Sequence, residues 1–303
     1  MRIPRQIILL SLILVSACGT PQPTPTLSPT AVPFTPTETP TIPPSSTPTE
    51  AFTSTNTSTP TLGIGSTWIS PLDGMVMVFV PAGPFQMGYT GGYADELPVH
   101  TVTLDAFWID KTEVTIGLYD LCVQAGACQP PRRRTSNAID DYYGNPKYAD
   151  YPVINVSWID AQSYCTWAGR RLPSEAEWEK AARGTDGRLH PWGNNAPEKN
   201  LASFGNNIED ISKTGSYPDG ASPYGVLDMA GNVWEWTADW YGQDYYSQSP
   251  DRNPPGPESG TKRVLRGGSW HYDASGIRST YRLAKDPTFS SYEIGIRCVR
   301  IAP

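Results

Sequence analysis

The sequence predicts a mixed α+β domain rich in irregular structure, and three observations carry that reading. Strand-like runs are short and scattered. Only a few helices carry start and stop signals. Ten Trp and sixteen Tyr stand among 303 residues, with Gly and Pro interrupting every segment. Aromatic chains punctuated in this way build loop-heavy folds rather than helical bundles.

The elements follow in order. "MVMVFV" (Met75 to Val80), "HTVTL" (His100 to Leu104) and "FWID" (Phe107 to Asp110) read as strands, because β-branched and aromatic residues are bounded there by Gly, Pro and Asp. A helix is expected over Ile116 to Ala125. "SWIDAQSYCTWAG" opens a second helix with Ser157 as N-cap and Asp160 in its first turn, and closes it at Gly169. "SEAEWEKAARG" opens a third with Ser174 and Glu177 as a capping box and ends at Gly184. "KRVLR" and the terminal "IGIRCVRI" complete the strands.

Ahead of this domain, residues 1–18 read as a signal peptide. Arg2 and Arg5 precede the apolar "IILLSLILV", which is too short to span a bilayer comfortably, and "VSAC" follows. That ending resembles the bacterial lipobox, which makes Cys18 a lipidation site and the protein an exported one tethered to a membrane. An ordinary signal peptide with a chance Cys is the alternative. Residues 19–63 are almost wholly Pro, Thr and Ser, a composition that cannot bury enough apolar surface to fold. Extended polyproline geometry, at about 3.1 Å per residue, lets such a stalk reach on the order of 100 Å. The folded domain is expected over 64–303.

A net charge of −7 excludes nucleic acid as a partner, since phosphate binding wants a basic stripe, and the one basic cluster is Arg132-Arg133-Arg134. With Cys18 set aside, four cysteines remain: Cys122, Cys128, Cys165 and Cys298. An even number in an exported domain reads as two disulfides with three possible connectivities. The short spacing of Cys122 and Cys128 favours a local clamp, which leaves Cys165 and Cys298 to join a helix to the last strand.

Several phrases, taken in order, carry a resemblance. "MVFVPAGPFQMG", "DKTEVTIGLY", "PVINVSWIDAQSYCTWAGRRLPSEAEWEKAARG", "HPWGNN", "YGVLDMAGNVWEWTADWY", "RVLRGGSW" and "IGIRCVR" together resemble the formylglycine-generating enzyme family, also called sulfatase-modifying factors. The match runs from about Met75 to Arg300. It implies a variant of the C-type lectin fold and a Cys165–Cys298 disulfide. It also implies two calcium sites. One would use the Asp228 side chain, the carbonyls of Gly231 and Val233, and the Glu235 carboxylate. Hard oxygen donors in a tight turn suit Ca²⁺. The alternative is that Asp228 caps a turn and Glu235 pairs with an arginine. The other site would use Asn200, the Leu201 carbonyl, Asn206 and the Ile208 carbonyl, with Asp210 as a competing donor.

The family's archetype oxidises a sulfatase cysteine to formylglycine with O₂ and copper held by two cysteines in the C-terminal motif. Here that motif reads "GGSWHYDASGIRSTYR", and the cysteine positions fall at Tyr272 and at Gly276 or Ile277. Copper(I) needs soft thiolates, so copper is not expected and the archetypal oxidase reaction is expected to be absent. Two readings remain. In one the domain is a binding module for a peptide, a glycan or an envelope protein, with Trp234, Trp236, Trp240 and Trp270 as groove candidates. In the other it is an enzyme using a remodelled site around His271, Tyr272 and Arg278. A Ser269–His271–Asp273 triad is rejected for want of a nucleophile elbow or oxyanion signature. Arg278 and Arg282 are expected to tie loops to carboxylates.

Overall fold

A computed structural model describes residues 62–303. The expected signal peptide, Cys18 and nearly all of the stalk lie outside the described residues. Ten strands occur among these residues, numbered in chain order. They are β1 (Thr67–Ile69), β2 (Val76–Val80), β3 (Gly83–Met87), β4 (His100–Leu104), β5 (Phe107–Asp110), β6 (Trp234–Trp240), β7 (Arg263–Arg266), β8 (Leu283–Lys285), β9 (Ile294–Gly295) and β10 (Val299–Ile301). The helices are α1 (Ile116–Gln124), α2 (Trp158–Trp167) and α3 (Glu175–Arg183).

The strands form three small sheets: an antiparallel β1-β2-β5-β10, the hairpin β3-β4, and β8-β7-β6-β9, in which β9 runs parallel to β6. Each helix starts where its cap residue says it should. Thr115, Ser157 and Ser174 accept the backbone N–H of Leu118, Asp160 and Glu177, and in the last two the Asp160 or Glu177 carboxylate returns a bond to the cap. Gly169 and Gly184, with φ of +69° and +68°, end α2 and α3 in a left-handed conformation that costs glycine little.

Helix α3 contradicts the usual rule that charged helices lie on the surface. Every residue in it is buried, and its charges are bonded one by one. Lys180 Nζ donates to the carbonyls of Pro81 and Gly83 at 2.8 Å. Arg266 reaches Glu175 at 3.0 Å and Glu179 at 2.6 Å, and Arg282 holds Glu175 at 2.6 Å. Arg170 pairs with Asp73 and Asp110, all three side chains being fully buried. Breaking such a pair leaves an uncompensated buried charge, so these contacts fix which loop meets which element.

Two disulfides are present, Cys122–Cys128 and Cys165–Cys298, with Cα separations of 5.3 and 5.7 Å. The first closes the turn after α1. The second ties α2 to the residue preceding β10, 133 positions along the chain.

Two sequence expectations need correction here. The run Ile294 to Ile301 is not one strand but two, in different sheets, because Arg297 and Cys298 between them leave for Glu235 and Cys165. "WEWTADW" is a seven-residue strand, and it buries Trp234 and Trp236 completely rather than offering them to a groove. Trp236 spends its indole N–H on the Val156 carbonyl at 3.1 Å. Trp240 is half-buried and lies over the Arg263 guanidinium, whose carbon is 3.4 Å from the ring centre.

Candidate functional site

After β7 the chain turns at Gly267 and Gly268, whose φ values are +97° and +81°. At Gly268 a side chain would also have no room, since a Cβ there would lie 2.6 Å from the Gly276 carbonyl oxygen. Glycine at this point lets the next segment fold back on itself. The segment from Ser269 to Gly276 is a turn, not a strand. Tyr272 N–H donates to Ser269 O and Gly276 N–H to Asp273 O, both at 3.0 Å. Asp273 accepts from the Ser275 N–H at 2.9 Å and from its hydroxyl at 2.6 Å, and the Ser275 hydroxyl holds its carboxyl below the usual range.

Tyr272 and Gly276, the first reactive position and one of the two candidates for the second, face one another across this turn, while the other candidate, Ile277, is fully buried. A Cβ built on Gly276 would lie 2.6 Å from Tyr272 Cδ1 and 3.1 Å from Tyr272 Cβ. The Tyr272 ring thus covers Gly276 and fills the space a second side chain would need. It also packs edge-on against Trp234, with ring centres 5.0 Å apart. Burial, and then the Glu293 carboxylate, push its phenol pKa up. All four cysteines among the described residues are in disulfides. The residues present therefore do not fit a thiolate copper site.

Of the three residues proposed as a remodelled site, His271 and Tyr272 line one open cleft of ≈ 490 Å³, together with Asp273, Tyr281 and Glu293. Arg278 is not part of it. Its guanidinium grips Glu96 with two bonds of 2.8 Å, among the rings of Tyr89, Tyr93 and Tyr281. Arg282 is the tie expected of it, through Glu175. The triad does not form. Ser269 donates to Glu293, His271 Nδ1 lies 2.9 Å from Asn206 Oδ1, and Asp273 serves its own turn.

In the "LDMAGNVWE" loop the structure shows the alternative to the calcium set, with Glu235 paired to an arginine. Glu235 is fully buried and already saturated. Arg297 takes both carboxylate oxygens, at 2.7 and 2.8 Å, and Trp178 Nε1 donates to one of them at 2.6 Å. A divalent cation placed there would have to displace a buried guanidinium, so Glu235 does not fit as a calcium ligand. Asp228 has a φ of +59°, and one of its oxygens accepts the Gly215 N–H at 2.6 Å.

Its neighbour is a residue that sequence reasoning missed. Glu113, from the "DKTEVT" stretch just after β5, is fully buried. One of its oxygens accepts from Asn232 Nδ2 at 2.9 Å, while the other has no hydrogen-bond partner among the described residues. Burial, followed by the Asp228 charge, pushes the Glu113 pKa well up. Two abutting buried carboxyls must share either a proton or a cation. Asp228 and Glu113, with backbone carbonyls, are a donor set that fits Ca²⁺. No group of three or more His, Cys, Asp or Glu side chains among the described residues is placed to hold a metal, so carbonyls such as those of Gly231 and Val233 would have to complete the shell.

The second expected calcium set is not assembled. Asn206, with φ of +56°, gives its side-chain oxygen to His271 and its N–H to Trp270 O. Asn200 is exposed, Leu201 and Ile208 are half-buried, and the Leu201 carbonyl is packed against Gly220. The competing donor, Asp210, instead ties down the loop at 136–138, accepting from the Ser136 hydroxyl and the Ala138 N–H.

The comparisons with known proteins agree with this geometry. Residues 70–302 match the family described as the sulfatase-modifying factor enzyme 1-like domain. A serine/threonine-protein kinase pkn1 of Chlamydia pneumoniae is 38% identical over 238 residues, 74% of this chain and 38% of that protein. The chain thus spans well under half the length of that relative. The formylglycine-generating enzyme of Streptomyces coelicolor is 36% identical over 286 residues, covering 74% of this chain and 89% of that enzyme. Among solved structures, PvdO from Pseudomonas aeruginosa superposes with a TM-score of 0.68 at 28% identity, over 80% of this chain and all of that one.

Proposed function

The chain belongs to the sulfatase-modifying factor family, and from that premise we propose that it is an exported, lipid-anchored member whose domain recognises a partner at the cell surface. It does so without the family's copper-dependent cysteine oxidation. One observation carries this reading: the family's two reactive positions fall at Tyr272 and at Gly276 or Ile277, none of them a cysteine, and the tyrosine ring lies over Gly276. What remains is an open, aromatic-walled cleft suited to contact rather than to thiolate chemistry. Two disulfides support an oxidising compartment, and the apolar stretch ending at Cys18 supports the anchor.

The test incubates the purified protein with Cu(I), O₂ and a peptide carrying a sulfatase-type cysteine motif, and follows the peptide by mass. No conversion of the cysteine is expected. Loss of the thiol with gain of an aldehyde would overturn the reading.

Calcium belongs to the same proposal as a structural ion held by Asp228 and Glu113, where its charge would replace the shared proton. Ca²⁺ at a hundredfold excess over its dissociation constant would stabilise the fold by about 2.7 kcal/mol. EDTA is expected to lower the melting temperature and added Ca²⁺ to restore it, and Glu113→Gln should abolish that response. A melting curve indifferent to both would remove the ion from the account.

A further inference from the structure

The basic cluster Arg132-Arg133-Arg134 lies in the irregular stretch that follows α1, and all three arginines are exposed. The backbone here has a free part between two held ends. No backbone N–H or carbonyl of residues 130–133 is hydrogen-bonded among the described residues. On one side the Cys122–Cys128 disulfide holds the chain, with the Tyr119 hydroxyl donating to the Gln129 carbonyl at 2.9 Å. On the other, the Arg134 carbonyl accepts the N–H groups of Tyr142 and Tyr143 at 2.9 Å, and the Thr135 carbonyl accepts from Asn155 Nδ2 at 2.9 Å. Exposed backbone without hydrogen bonds opens at little cost, and such loops are where chains are nicked.

The side chains select one class of enzyme. Consecutive guanidinium groups in solvent suit a protease whose specificity pocket carries a carboxylate. The cluster is also isolated. Between Arg5 and Arg132 the one Lys or Arg is Lys111, so the expected stalk offers such an enzyme nothing to cut. Lys111 is half-buried, and its N–H donates to the Val76 carbonyl at 2.8 Å. Farther along, the exposed Arg171 exchanges backbone bonds with Val299, and the exposed Lys262 gives its carbonyl to the Tyr241 N–H.

We propose that this loop is a processing site for an arginine-specific endoprotease, which hydrolyses the peptide bond after Arg132 or Arg133. The C–N bond breaks, and water supplies the hydroxyl of the new carboxyl group and a hydrogen to the new α-amine. The position of the cut decides the product. Cys122–Cys128 lies wholly before it and Cys165–Cys298 wholly after it, so neither disulfide joins the two pieces. The first piece carries β1 to β5 and the expected anchor at Cys18, and the second carries Asp228 and the turn at Tyr272. They stay together through β5 on β10, the buried pairs of Arg170 with Asp73 and Asp110, and Arg278 on Glu96. Cleavage thus leaves the site-bearing chain held to the anchored one by noncovalent contacts.

The experiment treats the full chain in detergent with dilute trypsin and identifies each cut by intact mass. The first cut beyond Arg5 is expected after Arg132 or Arg133, about tenfold or more ahead of any other. Without reductant the product should run as two bands in a denaturing gel, yet elute as one species in native size exclusion. Arg132→Gln together with Arg133→Gln should slow that cut by about tenfold or more. Lys199→Gln together with Lys262→Gln removes the same charge from exposed positions elsewhere and should leave the rate unchanged. An earlier cut at any other position beyond Arg5 would overturn the site, and so would equal slowing by both double variants. Undiminished cleavage of the arginine variant, taken up at Arg134, would overturn the argument from free backbone. Separation of the pieces in size exclusion would overturn the two-chain product.

Discussion

The loop from Asp228 to Glu235 and the turn from Trp270 to Arg278 look alike in sequence. Each has glycine, tryptophan and at least one carboxylate within nine residues. In the fold they are opposites. In the first, Glu235 has every oxygen bonded to Arg297 or Trp178 inside the core. In the second, His271, Asp273 and Ser275 are exposed and bonded only to near neighbours in space. The difference teaches that density of polar residues does not separate a staple from a site. What separates them is whether each buried charge has a full set of partners, and whether the aromatic groups around it are sealed in or open.

That contrast can be broken by experiment. The largest effect is expected for Arg297→Ala, which strands the Glu235 carboxylate in a dry core and should cost about 3–5 kcal/mol in chemical denaturation. A loss below about 1 kcal/mol would mean that the loop is not the staple described.

Further along β6, Asp239 accepts the Glu175 N–H at 2.8 Å, and burial, followed by the Glu175 charge, raises its pKa to about 8. The ordinary value is about 3.9. A folded pKa above the unfolded one means that the native state holds its proton more tightly. The stability contributed is therefore full below about pH 4 and is lost as pH rises towards 8. Asp239→Asn should flatten the stability profile across that window, and an unchanged slope between pH 4 and 8 would place the titration elsewhere.

The smallest effect is expected for His271→Ala on the exposed turn. Stability in chemical denaturation should change by no more than about 0.5 kcal/mol. A large loss of stability would make the turn a structural element after all.

The local features were legible in the sequence because they depend on neighbours in the chain. Ser157 with Asp160, Ser174 with Glu177, and the strand runs of β4 and β5 needed only a few residues of context. The Cys122–Cys128 clamp is of the same kind. Cys165–Cys298 followed as the remaining pair, and the family resemblance implied the same bond.

The candidate site was half legible. Tyr272 and either Gly276 or Ile277 could be placed at the family's reactive positions, but the packing of Tyr272 over Gly276 depends on a turn that alternation rules for strands do not describe. Glu113 was invisible because its partner, Asp228, is 115 positions away and Glu113 lies outside the motif that marked Asp228. Glu235 misled for a related reason: its guanidinium arrives from Arg297, on a segment that reads as continuous strand. The buried ion pairs of α3 were hidden by composition, since "SEAEWEKAARG" has the look of a solvated helix.

The Cys165–Cys298 bond has a consequence for survival outside the cell. It closes a covalent ring around both the buried loop and the exposed turn, so Asp228, His271 and Tyr272 lie inside it while Glu113 lies outside. A protease that cuts the exposed stretch at Asp273 to Ser275 would open the ring without releasing either piece. The nicked protein would remain a single molecule, with Arg297 still beside Glu235, until a reductant severed the two ends.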